Sequence, residues 1–272
     1  MRARGPGGGF GASIPRWSEV FSDPTLPLVV DLGCGMGTSL LGLAQTGEMC
    51  KRESLGDDYS DFFELRWPDC NFVGADLSRS LIGYANSIAS RRGIYGKVSF
   101  FPCSSDELMK TIQLSYPGDV RLVMIQYPTP FRLKESTEKA FSGGNTQLPR
   151  DLHSGFMVTG QLLSLVATVL HPSGGRMILQ SNCEDVAVFM RSTAERVAGF
   201  ECVDVLDTVL EVESSAVLLP RRTIRWIEMD GARAVGPGWS RSPLLPSWAK
   251  AETEAAREID GGIIHRCILR PK

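Results

Sequence analysis

The sequence predicts an α/β fold, a doubly wound, mostly parallel seven-stranded sheet with helices on both faces. Two observations carry this. From Leu26 onward, short apolar runs alternate with helix-length stretches, the rhythm of strands joined by crossover helices. The composition, 43% hydrophobic and 22% charged over 272 residues, supplies a sizeable core for one large domain. The organisation expected is a flexible tail over 1–25 and a single domain over 26–272, with insertions near 46–70 and 132–150.

The elements follow in order. LPLVVDLG (26–33) reads as the first strand and GTSLLGLAQ (37–45) as its helix. NFVGAD (71–76) precedes SRSLIGYANSIASRRG (78–93), and KVSFFP (97–102) precedes SSDELMKTIQ (104–113). RLVMIQYP (121–128) then leads to the helix within 153–170, GRMILQSN (175–182) to EDVAVFMRSTAERV (184–197), and IIHRCIL (263–269) closes the chain. Ser78 and Ser104 or Ser105 stand where helix N-caps are wanted, Gly93 and Gly199 where helices stop. The stretches 49–68 and 132–150 break the rhythm, and long loops at strand C-termini are where such folds keep their sites.

Several classes are excluded or disfavoured. No apolar run reaches the roughly 18 to 20 residues of a membrane helix, since even 206–219 is broken by Asp207, Glu211 and Glu213. Seven scattered cysteines without a CxxC pair support neither a disulfide framework nor a zinc finger. His153, His171 and His265 have no second ligand at metal spacing, so no metal is expected. A net charge of −2 gives no global attraction to nucleic acid, so an RNA role needs a local basic surface. Residues 1–16 are Gly-rich with Arg2, Arg4 and Arg16 and no acid, which fits a flexible tail or a short organelle-targeting segment.

The sharpest local signal is Asp31 followed by Gly33-Cys34-Gly35-Met36-Gly37. Glycines there permit positive φ and let a ligand approach bare backbone at a helix head. A dinucleotide fingerprint would place its third glycine at position 38, which is Thr38. Asp31 and Asp76, at the ends of consecutive strands, instead suit a ligand with a ribose and a cationic centre, with Asp76 accepting the ribose hydroxyls. A turn that merely connects strand and helix is the plain alternative.

DLGCGMG followed by GAD resembles the S-adenosylmethionine-dependent methyltransferases of class I, a Rossmann-like fold. The resemblance implies S-adenosyl-L-methionine as cofactor. It places Asp31, Gly33, Gly35 and Gly37 at the loop, Asp76 and Leu77 at the ribose, Cys103, Ser104 and Ser105 near the adenine, and Gln126 in the same binding set.

Beyond the fourth strand, Tyr127-Pro128-Thr129-Pro130-Phe131 resembles the FPDPW-like motif of the tRNA (guanine-N7-)-methyltransferase family. The turn at 170–176 resembles its LKPGGR, Ser181 to Ala187 its TD-x-E-x-Y-A, and Ala251 to Glu254 its TxFE. This implies a divergent member acting on tRNA, in the cytoplasm or nucleus, without membrane. Eukaryotic members work with a β-propeller partner. The implied catalytic positions are Thr129, Asn182 and Glu254. Two family acids are replaced, by Thr129 and Asn182, while Glu254 is retained, and the basic cluster thins to Arg132, Lys134 and Lys139. Guanine N7 already offers its lone pair, so transfer needs alignment and desolvation more than a base. Carboxylates there would hold the N1 and N2 hydrogens and favour the cationic purine. The departures keep two alternatives open: another RNA position or a small molecule as substrate, and a noncatalytic RNA-binding subunit.

Other features carry paired readings. Tyr127 and Phe131 suit either stacking on a purine or the core. Glu184 and Asp185 suit a helix N-terminus. The turn-rich 143–149 reads as lid or loop. Arg221, Arg222, Arg225, Arg233 and Arg241 form a basic segment that either tracks phosphates or is solvated surface, and 231–246 reads as a mobile arm. Glu254, on AETEAARE, suits the guanine site or a solvated helix face.

Overall fold

The computed structural model describes residues 15–46, 63–130, 155–203, 207–209 and 221–272, with the backbone of 59–60. The expected basic cluster at 132–139, Phe131, His153 and the 143–149 turn lie outside the described residues. The chain forms two compact units. The first comprises the described residues up to Met124 with Pro172–Gly175 and Pro246–Ala251, and the second comprises the rest. The fold is α/β, a mixed sheet of mostly parallel strands with helices.

In the first unit, α1 (Trp17–Val20) precedes β1 (Leu28–Leu32) and α2 (Thr38–Ala44). A short hairpin of β2 (Tyr59–Ser60) and β3 (Leu65–Arg66) leads to β4 (Asn71–Ala75), α3 (Arg79–Arg91), β5 (Val98–Phe101) and α4 (Ser105–Ser115). β6 (Val120–Gln126) carries the chain into the second unit. β1 pairs in parallel with β4, Val30 opposite Val73, and β4 pairs in parallel with β5. All residues of β1, β4 and β5 are buried, as strands covered on both faces must be, which is why they read as unbroken apolar runs.

The caps are where the sequence places them. Ser78 Oγ accepts from Leu81 N–H at the head of α3. Ser104 and Glu107 form a reciprocal capping box on α4, which satisfies two of the helix's orphan donors. α3 buries Ile82, Ala85 and Ala89, one stripe at helical spacing.

The expected tail boundary is corrected: ordered structure begins before residue 25. Trp17 and Phe21 are buried, their rings stacked with centroids 5.9 Å apart, and Trp17 meets Tyr116 edge to face. Trp17 Nε1 also donates to Ser115 Oγ at 2.9 Å. Two large aromatic side chains leaving water outweigh the ordering of a few residues of backbone.

In the second unit, α5 (Gly160–Leu170), β7 (Arg176–Ser181), α6 (Glu184–Val197) and β8 (Phe200–Cys202) are followed by α7 (Arg221–Glu228), β9 (Trp239–Ser240), α8 (Glu252–Ile259) and β10 (His265–Pro271). β10 runs antiparallel to β7, with His265 opposite Ser181, and to β8, with Leu269 opposite Cys202. Seven strands were expected, and the sheet also counts the two-residue β9, hydrogen-bonded to β10.

The stretch 231–246 is not a mobile arm. Ala234, Trp239, Ser240, Leu244 and Leu245 are buried, and the Arg191 guanidinium lies 5.0 Å over the Trp239 ring. Its prolines and glycines shape turns between buried anchors rather than a free segment. No described helix is long and apolar enough to cross a membrane.

Candidate functional site

The first group of site residues lies in the first unit and is built on the ends of β1 and β4. The last carbonyl of β4, on Ala75, accepts from Gly33 N–H at 2.8 Å and Cys34 N–H at 2.9 Å. Asp76 Oδ2 then accepts from Gly35 N–H at 3.1 Å, and its Oδ1 accepts from Ser78 N–H at 2.8 Å. The acid after the second strand thus holds the glycine loop by its backbone. Each carboxylate oxygen retains a further acceptor direction.

The glycines behave as the loop requires. Gly33, Gly35 and Gly37 have φ of 79°, 54° and 74°, the left-handed region that other residues enter at a cost. A Cβ on Gly37 would strike the Phe100 ring, while one on Gly35 would meet nothing within 4 Å. Gly37 is therefore required by packing, and Gly35 faces open space. Leu77, beside Asp76, is 77% exposed, a large apolar side chain facing solvent next to a carboxylate. Asp31 is buried within β1. Cys103 is buried and its thiol is pushed up to about 12 by burial, which leaves it a protonated wall rather than a nucleophile. Ser104 is committed to the cap of α4 and Ser105 is that helix's first residue. A loop of open backbone, a half-exposed carboxylate and an exposed leucine fit a ribose-bearing ligand.

The second group lies in the second unit. Gln126, buried at the end of β6, accepts through Oε1 from Gln180 Nε2 at 2.7 Å, and the same amide nitrogen donates to Glu254 Oε2 at 3.3 Å. Glu254 Oε1 accepts from Arg266 Nη2 at 2.9 Å. Glu254 is 1% exposed, so it does not sit on a solvated helix face. Both its oxygens are engaged by protein donors and its charge is compensated by Arg266.

Beside this chain of bonds, Tyr127 N–H donates to Gln180 O at 2.8 Å. Tyr127 has φ of 50°, an uncommon backbone conformation for an aromatic residue. Its hydroxyl is buried without a hydrogen-bond partner among the described residues, and burial together with the Glu254 charge raises its pKa. Thr129, two residues on, is exposed. Asn182, half-buried, has its Oδ1 3.8 Å from the Cys183 thiol. Of the three implied catalytic positions, only Glu254 joins the buried chain, linked to Gln126 through Gln180.

The arginine-rich segment is corrected in part. Arg222 grips Asp185 with two prongs, Nε to Oδ1 at 2.9 Å and Nη2 to Oδ2. Arg233 Nε donates to Glu184 Oε1 at 2.8 Å, an oxygen that Ala234 N–H also reaches. Glu184 and Asp185 are fully buried. These arginines compensate buried acids, because an uncompensated interior carboxylate would be costly, and they are not phosphate-tracking surface. His265 lies in the same interior, its pKa lowered to about 4 by burial, with the Glu184 charge opposing and Arg233 and Arg266 assisting. Among the described residues no cluster of three His, Cys, Asp or Glu could hold a metal ion.

Gln180, Arg266 and the strained Tyr127 were not singled out as a connected set from sequence. A signal existed for Arg266: a cation in the middle of the apolar run IIHRCIL needs a buried acid.

No protein-family model matches the chain. It is similar to proteins named tRNA (guanine-N(7)-)-methyltransferase. The one from Thermosynechococcus vestitus is 27% identical over 179 residues, 65% of this chain and 64% of that protein. Those from Synechocystis sp. and Trichormus variabilis are 26% and 27% identical over 66% and 64% of this chain. The chain thus matches 64% of the length of the first of these relatives, less than two thirds. Among solved structures, the [4+2]-cyclase SpnF aligns over 94% of this chain and 78% of its own at 15% identity and a TM-score of 0.42. Geranyl diphosphate C-methyltransferase from Streptomyces coelicolor A3(2) aligns over 93% and 72% at 14% identity and 0.37.

Proposed function

We propose that this chain, a divergent relative of the tRNA (guanine-N7-)-methyltransferases, transfers a methyl group from S-adenosylmethionine to guanine N7 of tRNA. The observation that carries the cofactor half of this reading is the bond from Gly35 N–H to Asp76 Oδ2, which makes loop and acid one cradle. The relatives' names support the substrate half. The compartment that goes with such a substrate is cytoplasmic or nuclear.

When bound, S-adenosylmethionine supplies an electrophilic methyl group. Gly33, Gly35 and Gly37 would present backbone to its amino-acid part, Asp76 would accept from its ribose hydroxyls, and Leu77 would cover an apolar face. In the second unit, Arg266 holds Glu254, Glu254 accepts from the Gln180 amide, and the same amide donates to Gln126 and orients it. Glu254 is thereby a positioning residue. Thr129 offers an exposed hydroxyl able to hydrogen-bond a purine edge without charge, while the Tyr127 hydroxyl is buried. N7 attacks with its own lone pair, so no side chain need remove a proton before transfer.

Nucleoside mass spectrometry of tRNA incubated with the protein and methyl-labelled cofactor tests the reading. Labelled 7-methylguanosine is expected. Label in another nucleoside would establish the alternative that Thr129 and Asn182 favour, and no label would overturn the reaction. Calorimetry with S-adenosylhomocysteine tests the cradle separately: Asp76→Ala should weaken binding by about 2 to 4 kcal/mol through lost charge-assisted bonds, and equal binding would remove Asp76 from the site.

A further inference from the structure

We infer that a cavity between α2 and α3, walled by the segment Ser247–Ala249 and Lys250, is a nucleotide subsite that takes one base and its phosphate from an RNA strand. The inference deepens the proposed reading by giving the tRNA a contact beside the cradle, whose loop residue Met36 also lines the cavity. The cavity measures about 350 Å³, and Thr38, Tyr84, Ile88, Arg92, Trp248 and Lys250 are among its lining. Sites for small ligands run from roughly 300 to 1,000 Å³, so this one suits a single nucleotide unit.

The lining has the chemistry of such a unit. None of the described residues that line it is acidic, while Arg92 and Lys250 are cationic. From 77 to 105 the chain has Arg79, Arg91, Arg92 and Lys97 and no acid at all, so the surface around α3 is basic although the whole chain is slightly acidic. Arg92 Nη1 donates to Gln45 Oε1 at 2.6 Å, a neutral acceptor that orients the guanidinium and leaves its charge intact. Tyr84 is 53% exposed, a ring available to a base. The Thr38 hydroxyl oxygen is buried with no hydrogen-bond partner among the described residues, a polar group of the kind that a ligand completes.

The wall is held in place rather than draped. A Cβ on Gly42 would run into the Trp248 carbonyl, so α2 and the Trp248 backbone are in direct contact. Trp248 Nε1 donates to Thr46 Oγ1 at 3.1 Å. The indole is thus fixed before a ligand arrives, which spares the ordering cost of binding. Bases stack on aromatic rings whatever their identity, and cations beside the rings take the phosphate.

Filter binding of the full chain to tRNA across a salt series tests this. The double variant Arg92→Gln, Lys250→Gln should bind about 10- to 100-fold more weakly at low salt, with a log–log slope shallower by about 1 to 2. Arg92→Lys should restore the slope. Tyr84→Ala should weaken binding about tenfold with the slope unchanged, because stacking is not ionic. S-adenosylhomocysteine affinity and the melting temperature should match the unmutated protein in all three. Unchanged tRNA binding in the charge and ring variants would overturn the subsite. Adenosine 5′-monophosphate bound by the unmutated protein and not by the double variant, with tRNA affinity unaffected, would reassign the cavity to a free nucleotide and overturn the RNA assignment. Absence of 7-methylguanosine with RNA binding still sensitive to Arg92 would refute the reaction and leave the subsite standing.

Discussion

Glu254 and Arg266 form a closed ion pair in the interior of the second unit, Oε1 to Nη2 at 2.9 Å, with side chains 2% and 5% exposed. Gln180 occupies the other carboxylate oxygen. The acid at the position where the resembled family also has one is therefore already neutralised by the protein itself, and the consequences of changing it follow from that.

Glu254→Gln keeps shape and leaves Arg266 as a buried cation without its counterion. Breaking a buried pair on one side costs about 3 to 5 kcal/mol, whereas replacing both partners by apolar groups is often near neutral. Urea unfolding should show a loss of that size in the single variant and recovery of most of it in the apolar double variant Glu254→Leu, Arg266→Met. A single variant with full stability and impaired turnover would instead make Glu254 a direct guanine ligand.

Gly35 and Gly37 share a positive φ and differ in surroundings, so alanine should separate folding from binding. Gly37→Ala adds a clash with the Phe100 ring to the backbone strain, and a loss of about 2 to 4 kcal/mol in stability is expected. Gly35→Ala carries the strain alone, about 1 to 2 kcal/mol, while its methyl occupies the open side of the cradle and reduces S-adenosylhomocysteine affinity at least tenfold. Thermal melts and calorimetry on both variants check this, and equal effects on both readouts would contradict it.

His265 gives the fold an acid sensitivity. Its folded pKa of about 4 lies below its ordinary value of 6.5, so the unfolded chain takes up the proton first. This contribution is complete above pH 6.5 and is lost as pH falls toward 4. Linkage puts the loss at about 2 kcal/mol between pH 7 and pH 5. Urea titrations at the two pH values should show that difference, reduced by the same amount in His265→Phe. An unchanged pH dependence in the variant would assign the acid sensitivity to other groups.

Thr129 and Asn182 stand where the resembled family has acids. Thr129 is exposed and Asn182 half-buried, so aspartate at either position should cost little stability, about 0.5 kcal/mol at the exposed site. Thr129→Asp with Asn182→Asp should raise 7-methylguanosine formation about tenfold by favouring the cationic purine. Activity unchanged in the double variant would mean that the chain does not use the family's guanine pocket.

The legible part of the fold was the part written in local chemistry. Ser78 and Ser104 cap helices where a short hydroxyl precedes a helical stretch, and the buried strands β1 and β4 were plain as apolar runs. β8, three residues long and half-exposed at two of them, offered no such run. Trp17 and Phe21 sit in a Gly- and Arg-rich neighbourhood that reads as tail, and only their contacts with Tyr116 make that stretch structure.

By itself the sequence determined the glycine loop. Gly33, Gly35 and Gly37, with an acid before them and Asp76 at the next strand's end, specify positive φ and open backbone, because only glycine takes that conformation without strain. What the tertiary structure alone decided was the fate of the charges in the second half. Glu254 pairs with Arg266 across 12 residues, Asp185 with Arg222 across 37, and Glu184 with Arg233 across 49. Whether a carboxylate serves a ligand or an interior arginine depends on which distant segment packs against it and excludes water, and no local pattern encodes that.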